Sequence, residues 1–449
     1  MIPVLTPAEM AAVDAAAPEP VEELIERAGA AVARTALRML GGGYGRRVVV
    51  LAGKGNNGAD GRAAAVRLRR RGVHVDVVAA EDRPTALPEA DLVIDAAYGT
   101  GFRGEHEAPE VGSTPVLAVD IPSGVSGLTG EAHGRVLRAE RTVTFAALKP
   151  GLVLEPGRSL AGAVSLADIG LDVSGATAHV VEAADVGAAL PARAPDAHKW
   201  DAAVMIVAGS PGMTGAAHLA AAAAQRAGAG MVRLATPGVA DDPNRPTEAV
   251  GLHLPEDGWA EAVSRELHRY RALVVGPGLG TSLATQGGVR VLLGSAPVPA
   301  VVDGDGLTAI GRDLSVVRDR VAATVLTPHE GEFARLTGAP PDADRLAAVR
   351  ALAADADCVV LLKGPTTVVA APDGTVRIVA EADARLATAG TGDVLSGTIA
   401  ALLARGLRPL DAAAAGAWLH ARAAWHGPAE GLVAHDVVDL LPLALAEVR

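Results

Sequence analysis

Short, uninterrupted apolar runs recur along the chain, separated by stretches long enough for a helix. This alternation constrains the fold more than any other feature. "RRVVVLA", "VHVDVVAA", "DLVIDAA", "PVLAVDI" and "RTVTFAA" come first; "AAVMIVAG", "MVRLAT", "ALVVGPG", "PAVVDG", "ATVLT", "CVVLLKG" and "TTVVAA" come later. Continuous runs need cover on both faces, which parallel sheets between two helix layers provide. The rhythm breaks in "VEAADVGAALPARAPDAHKW", which holds Pro191 and Pro195. The 449 residues are therefore read as α/β, with two three-layer α/β/α domains: residues 1–190, with a linker from about 176, and residues 191–449.

Composition narrows the partners. Aromatic residues are only 2% and the net charge is −12, so the chain has neither the stacking groups nor the basic face of a nucleic-acid binder. Its one cysteine, Cys358, lies in an apolar run and excludes a disulfide framework or a thiolate zinc site. No stretch approaches the ~18 apolar residues of a membrane span, and "MIPVLTPAEM" lacks a basic leader. A cytoplasmic, small-molecule-binding homo-oligomer is expected, with no nucleic acid and no membrane.

The stretch "LAGKGNNGADGR" carries Gly53, Gly55 and Gly58 in G-x-G-x-x-G spacing between a strand and a helix, and Glu81 comes just after the next strand. By spacing alone this is a dinucleotide turn. Asn56, Asn57 and Asp60 fit that poorly, because a carboxylate at the helix start repels a pyrophosphate. Side-chain oxygens of this kind suit a hard cation or a ribose better. Three further strand ends add "DAAYGTGFRGE" (Asp95 to Glu105), "AVDIPSGVSG" (with Asp120 and Ser123) and "FAALKPGL" (with Lys149). Each alone reads as a turn cap or a surface lysine. Four together, at the carboxyl ends of strands, read as one pocket.

"GKGNNGADG", "DAAYGTGF" and "AVDIPSGV", in this order, resemble the N-terminal domain of the NAD(P)H-hydrate epimerase family, over about residues 1–175. The resemblance implies a Rossmann-like domain that interconverts the R and S hydrates of damaged NADH and NADPH. It implies that Asn56, Asn57, Gly58, Ala59 and Asp60, with Gly99, Thr100, Gly101, Phe102, Arg103, Gly104 and Glu105, bind the hydrate. By the same likeness Asn57, Asp95 and Ser123 hold potassium, and Asp120 touches the substrate as acid/base. Ala59 stands where the family usually has a second glycine, and Lys54 where proline is common.

The second half carries "ATAGTGDVLSGTIAALLARG" (Ala387 to Gly406), a glycine turn opening a helix with Asp393 in its first turn. Backbone N–H groups there form an anion hole, and the carboxylate is placed to act as a base. "LLKGPTTVVAAPDG" puts Lys363 at a strand end, suited to phosphate oxygens. "LTPHEGEFARL" has Thr327 and Glu330 in capping-box spacing, with His329 at the helix mouth. "VAGSPGMTGAAHLAA" and "VVGPGLG" add two more glycine loops after strands.

Together with "HKWDAAVMIVAGS" and "GAGMVRLATP", these motifs resemble the ADP-dependent NAD(P)H-hydrate dehydratase family across about residues 196–449. The resemblance implies a ribokinase-like fold that dehydrates the S hydrate. By it, Ala216 or Ala217, Gly278, His329 and Asp393 contact the hydrate. Lys363, Gly364, Pro365, Thr366, Thr367 and Gly392 contact ADP, and magnesium assists. "VVDGDGLT" has Gly304 and Gly306 where a DADAL pattern is commoner.

Chemistry links the halves. A stereospecific dehydratase uses one epimer, and an epimerase supplies it from the other. Phosphorylation, with Asp393 as base, turns a poor hydroxide leaving group into phosphate. The competing reading is a small-molecule kinase of ribokinase type with a non-catalytic Rossmann-like binding domain.

Overall fold

The computed structural model describes residues 1–381 and 384–449. Two compact units make up the chain: Ile2–Ala178, and His179–Arg449 together with Met1.

In the first unit, strands β1 (Arg47–Ala52), β2 (His74–Ala79), β3 (Leu92–Ala96), β4 (Val116–Val119), β5 (Arg141–Phe145) and β6 (Ala163–Ala167) stand in the order β2-β1-β3-β4-β5-β6. All neighbours are parallel. Helix α1 (Val21–Leu40) buries Leu24, Ala28, Val32 and Ala36, a stripe at four-residue spacing, and stops at Gly41 in the left-handed region. It shares one core with Ala64, Ala65 and Leu68 of helix α2 (Asn56–Arg69) and with Val48 and Val50 of β1. The chain runs outward from β1 to β2, then crosses back to β3 on the other side of β1. The loops after β1 and β3 therefore diverge, which opens a crevice at the strand carboxyl ends.

In the second unit, β7 (Ala203–Val207), β8 (Met231–Pro237), β9 (Val250–Leu254), β10 (Ala272–Val275), β11 (Ala300–Val302), β12 (Thr324–Leu326), β13 (Val359–Leu362), β14 (Thr367–Ala370) and β15 (Val376–Val379) stand in the order β15-β14-β13-β12-β11-β10-β7-β8-β9. The run from β9 to β13 is parallel, while β14 and β15 are antiparallel additions. The order again reverses at the first strand, between β7 and β10. Helices α3 (Thr214–Arg226), α4 (Glu330–Thr337), α5 (Thr391–Ala404) and α6 (Pro409–Trp425) belong to this unit. Every residue of α5 from Val394 to Ala404 is buried, as befits a helix apolar on all sides.

The twelve strands expected from the sequence all form, and seven more are present among the described residues: β6, β9 and β15, and the short strands Ile2–Val4, His106–Glu107, Gly134–Arg135 and Ala178–Val180. The division between units falls after Ala178, inside the stretch expected to be a linker. Residues 179–190 are not loose chain: helix Ala183–Ala189 forms, and Val181, Val186 and Leu190 enter the second core. Among the described residues, no helix is long and apolar enough to cross a membrane.

Candidate active sites

The first crevice holds a cavity of about 570 Å³ lined by Asp14, Asn56, Asn57, Asp60, Gly99, Thr100, Phe102, Asp120 and Lys149, among others. Close packing at the β1–α2 turn sets its floor. A Cβ on Gly58 would lie 1.8 Å from the Gly53 carbonyl oxygen, so glycine alone fits. Ala59 lies inside α2 and outside the left-handed region, so its methyl costs no backbone strain there.

Lys149, expected from the sequence to be a surface lysine if taken alone, is 2% exposed. Its Nζ donates to Asp120 Oδ1 at 2.6 Å, to Thr144 Oγ1 at 2.9 Å and to the Phe145 carbonyl at 3.2 Å. Thr144 Oγ1 also donates to Asp120 Oδ1, at 2.9 Å. Asp120 Oδ2 is the carboxylate oxygen turned toward Gly99, and the Asp120 backbone is left-handed, with φ of 65°.

Beneath the cavity, Asp95 is fully buried and accepts from the Ser123 hydroxyl at 2.6 Å and its amide at 2.9 Å. Burial raises the Asp95 carboxyl and the Ser123 bonds oppose that rise. Asn57 is buried, yet neither side-chain Oδ1 nor Nδ2 has a partner. A side-chain carbonyl oxygen left bare on this glycine-rich turn is a ligand of the kind a hard cation takes, or an acceptor for a substrate hydroxyl. Thr100, Gly101 and Phe102 line the cavity, while Arg103, Gly104 and Glu105 are exposed and outside its lining. Gly58 and Ala59 support the loop without lining the cavity.

In the second unit, Gly390 takes a left-handed φ of 90° at the start of α5 and places Asp393 in the first turn. Burial, then the carboxylates Asp303, Asp305 and Glu332 against the opposing Lys363, push the Asp393 carboxyl up to about 7. Lys363, at the end of β13, is bonded to Asp303 Oδ1 at 2.8 Å and lies 3.4 Å from Glu332 Oε2. Burial disfavours its charge, but these two acids outweigh that and raise its pKa. Gly392 opens toward this group: a Cβ there would lie 3.5 Å from Lys363 Nζ. Asp303 is the hub, for its Oδ2 accepts from Ser396 Oγ on α5 at 2.6 Å. Neither Asp303 nor Ser396 was singled out by the sequence motifs. The "VVDGDGLT" strand end was the available signal.

The structure corrects the expected capping box and shows how two groups of expected contact residues are placed. The capping box belongs to His329 and Glu332, not Thr327 and Glu330: His329 Nδ1 accepts from the Gly331 amide at 3.0 Å, and Glu332 Oε2 accepts from the His329 amide at 2.8 Å. Thr327 is fully buried and donates to the Val302 carbonyl instead. Ala217 packs its methyl into the core, whereas the Ala216 methyl is the one facing Gly278. Thr366 and Thr367 are also buried, leaving Lys363, Gly364 and Pro365 as the accessible part of the β13–β14 turn.

Known proteins carry the same two halves. Residues 21–88 and 79–151 match the family described as YjeF-related protein N-terminus, and residues 204–442 match the NAD(P)H-hydrate dehydratase family. The bifunctional NAD(P)H-hydrate repair enzyme Nnr of Moorella thermoacetica is 38% identical across 99% of this chain and 97% of its own. The chain belongs to the bifunctional NAD(P)H-hydrate repair enzyme family. Its Mycobacterium tuberculosis H37Rv member is 41% identical over 83% of this chain and 82% of its own. Among solved structures, the ADP/ATP-dependent NAD(P)H-hydrate dehydratase of Bacillus subtilis, co-crystallised with ATP and Mg2+, is 30% identical with a TM-score of 0.50. It covers 59% of this chain and 96% of its own. A ribokinase-like superfamily protein of Enterococcus faecalis, 20% identical with a TM-score of 0.53 over 61% of this chain and 96% of its own, shares the fold. For this repair-enzyme family member the ribokinase-like architecture thus belongs to the second unit.

Proposed function

We propose that the first unit interconverts the R and S hydrates of NADH and NADPH, and that the second dehydrates the S hydrate at the expense of ADP. The observation that carries this reading is that each unit sets its own carboxylate at the carboxyl edge of its own sheet: Asp120 against Lys149, and Asp393 beside the Asp303–Lys363 pair.

In the second unit Asp393 accepts the proton of the hydrate hydroxyl as that oxygen takes a phosphoryl group from the nucleotide. The ring nitrogen lone pair then expels phosphate, and loss of a proton from the neighbouring carbon restores the dihydronicotinamide. The glycine turn at Gly390–Gly392 offers backbone N–H groups to the phosphoryl oxygens. Lys363 meets the same charge from the strand side. Magnesium bound with the nucleotide would supply charge neutralisation on its phosphates, while the nearby Asp303 and Glu332 are both engaged with Lys363. Ala216, Gly278 and His329 form the hydrate-facing wall.

In the first unit Asn57, Asp95 and Ser123 would hold potassium, which orients the phosphate or ribose of the hydrate. Asn56 and the Gly99–Phe102 loop supply the remaining contacts.

The test is incubation of the full chain with a mixture of hydrate epimers, with and without ADP. Complete recovery of NADH with ADP, and none without it, is expected. Asp393→Asn should lower recovery by ~10²–10⁴-fold. Accumulation of a stable phosphorylated product instead of NADH would favour a kinase.

A further inference from the structure

Three carboxyl groups, Asp14, Asp60 and Asp120, line the cavity of the first unit within electrostatic reach of one another. The buried cation among them, Lys149, is committed to Asp120 at 2.6 Å. Asp14 is exposed at the mouth, whereas Asp60 is 8% exposed. Among the described residues, no hydrogen bond or ion pair satisfies the Asp60 carboxyl. Burial first, then Asp120 and Asp14, push it up to about 8, with Lys149 opposing. Glu19, Lys54, Glu81 and Tyr98 complete the ionisable lining. A carboxyl of this kind holds its proton at neutral pH, so it gains nothing from the α2 dipole as an anion would. A protonated acid facing an ion-paired carboxylate is the arrangement in which two carboxyls divide into donor and acceptor.

We propose that Asp60 is the proton donor of the epimerisation, working across the cavity from Asp120 as proton acceptor. The inference rests on the epimerase reading of this unit. In the hydrate, one ring carbon bears both the hydroxyl group and the ring nitrogen. Asp120 Oδ2 takes the hydroxyl proton, and the freed O–H electron pair forms the carbonyl. The carbon–nitrogen bond breaks, its pair stays on nitrogen, and nitrogen takes the Asp60 proton. Rotation next to the new aldehyde presents its other face. Reclosure returns the nitrogen proton to Asp60 and the Asp120 proton to oxygen, so both residues are restored.

The experiment compares full-length wild type with Asp60→Asn, monitoring interconversion of the epimers across pH, with ADP-dependent dehydration of pure S hydrate as the control for folding. Asp60→Asn should lose ~10²–10⁴-fold in kcat while KM moves by no more than about threefold. Wild-type kcat should fall as pH rises through about 8, and that fall should be absent in the variant. Stability reports on the same group. Its folded pKa lies above the unfolded value, so the folded state holds the extra proton between the ordinary carboxylate range and about 8. Wild type should therefore lose stability as pH rises through that window, and Asp60→Asn should lose less. A variant with kcat within about threefold of wild type, or one that only raises KM, overturns the donor role. Wild type that fails to exceed the spontaneous rate overturns the epimerase reading itself.

Discussion

Asp120 shows opposing local energies at one residue. Its left-handed backbone costs about 1–2 kcal/mol for a side chain with a Cβ, which glycine would recover. Its carboxylate is also the partner of an ammonium 2% exposed, and removing one member of such a pair costs about 3–5 kcal/mol. The second effect is larger. Asp120→Gly should therefore be less stable than wild type despite its freer backbone, with Asp120→Asn between them because the amide oxygen still accepts from Lys149 and Thr144. Calorimetry of the full chain reads the order directly. A glycine variant as stable as wild type would mean that Lys149 finds another partner. Neither the strain nor the burial of Lys149 is legible in "AVDIPSGV" or "FAALKPGL", because the two segments lie 29 positions apart and meet only through the sheet.

At the scale of elements, the helix Ala183–Ala189 is where reading the chain by its prolines fell short. "VEAADVGAALPARAP" offers one short turn of weak periodicity. Val181, Val186 and Leu190 are nonetheless 5%, 1% and 5% exposed in the second core. Each such side chain contributes about 1.5–3 kcal/mol on burial, an upper bound for a partly collapsed unfolded chain. A fragment His179–Arg449 should accordingly melt roughly 10 °C above Pro191–Arg449, by circular dichroism. Equal melting points would place the true edge of the unit at the prolines. The strands themselves were legible because buried parallel strands are continuous apolar runs. Those that escaped notice are short and most carry polar or small residues, as β9 does in "VGLHL" and β6 in "AVSLA". Strand order was not legible at all. Nothing in the runs says that the chain doubles back after β2 and again after β9, and that reversal gathers each site.

For the whole molecule, the division into two units, each with its own glycine loops and its own carboxylate, has a genetic corollary. Chemistry is lost from one half without touching the loops or core of the other. A protein carrying Asp120→Asn retains an intact dehydratase, and one carrying Asp393→Asn retains an intact epimerase. Mixed in one tube with ADP and both hydrate epimers, these two defective proteins should complement each other. The first variant alone should stop once the S epimer is spent, apart from spontaneous interconversion. The second alone should regenerate almost nothing. Together they should consume the mixture to the end, because the epimer made by one chain is an ordinary solute for the next. A mixture that stalls would mean that the hydrate passes between the halves of a single chain without escaping. Complementation would make the fusion a matter of supplying both activities in equal number, a stoichiometric device that two separate proteins could replace.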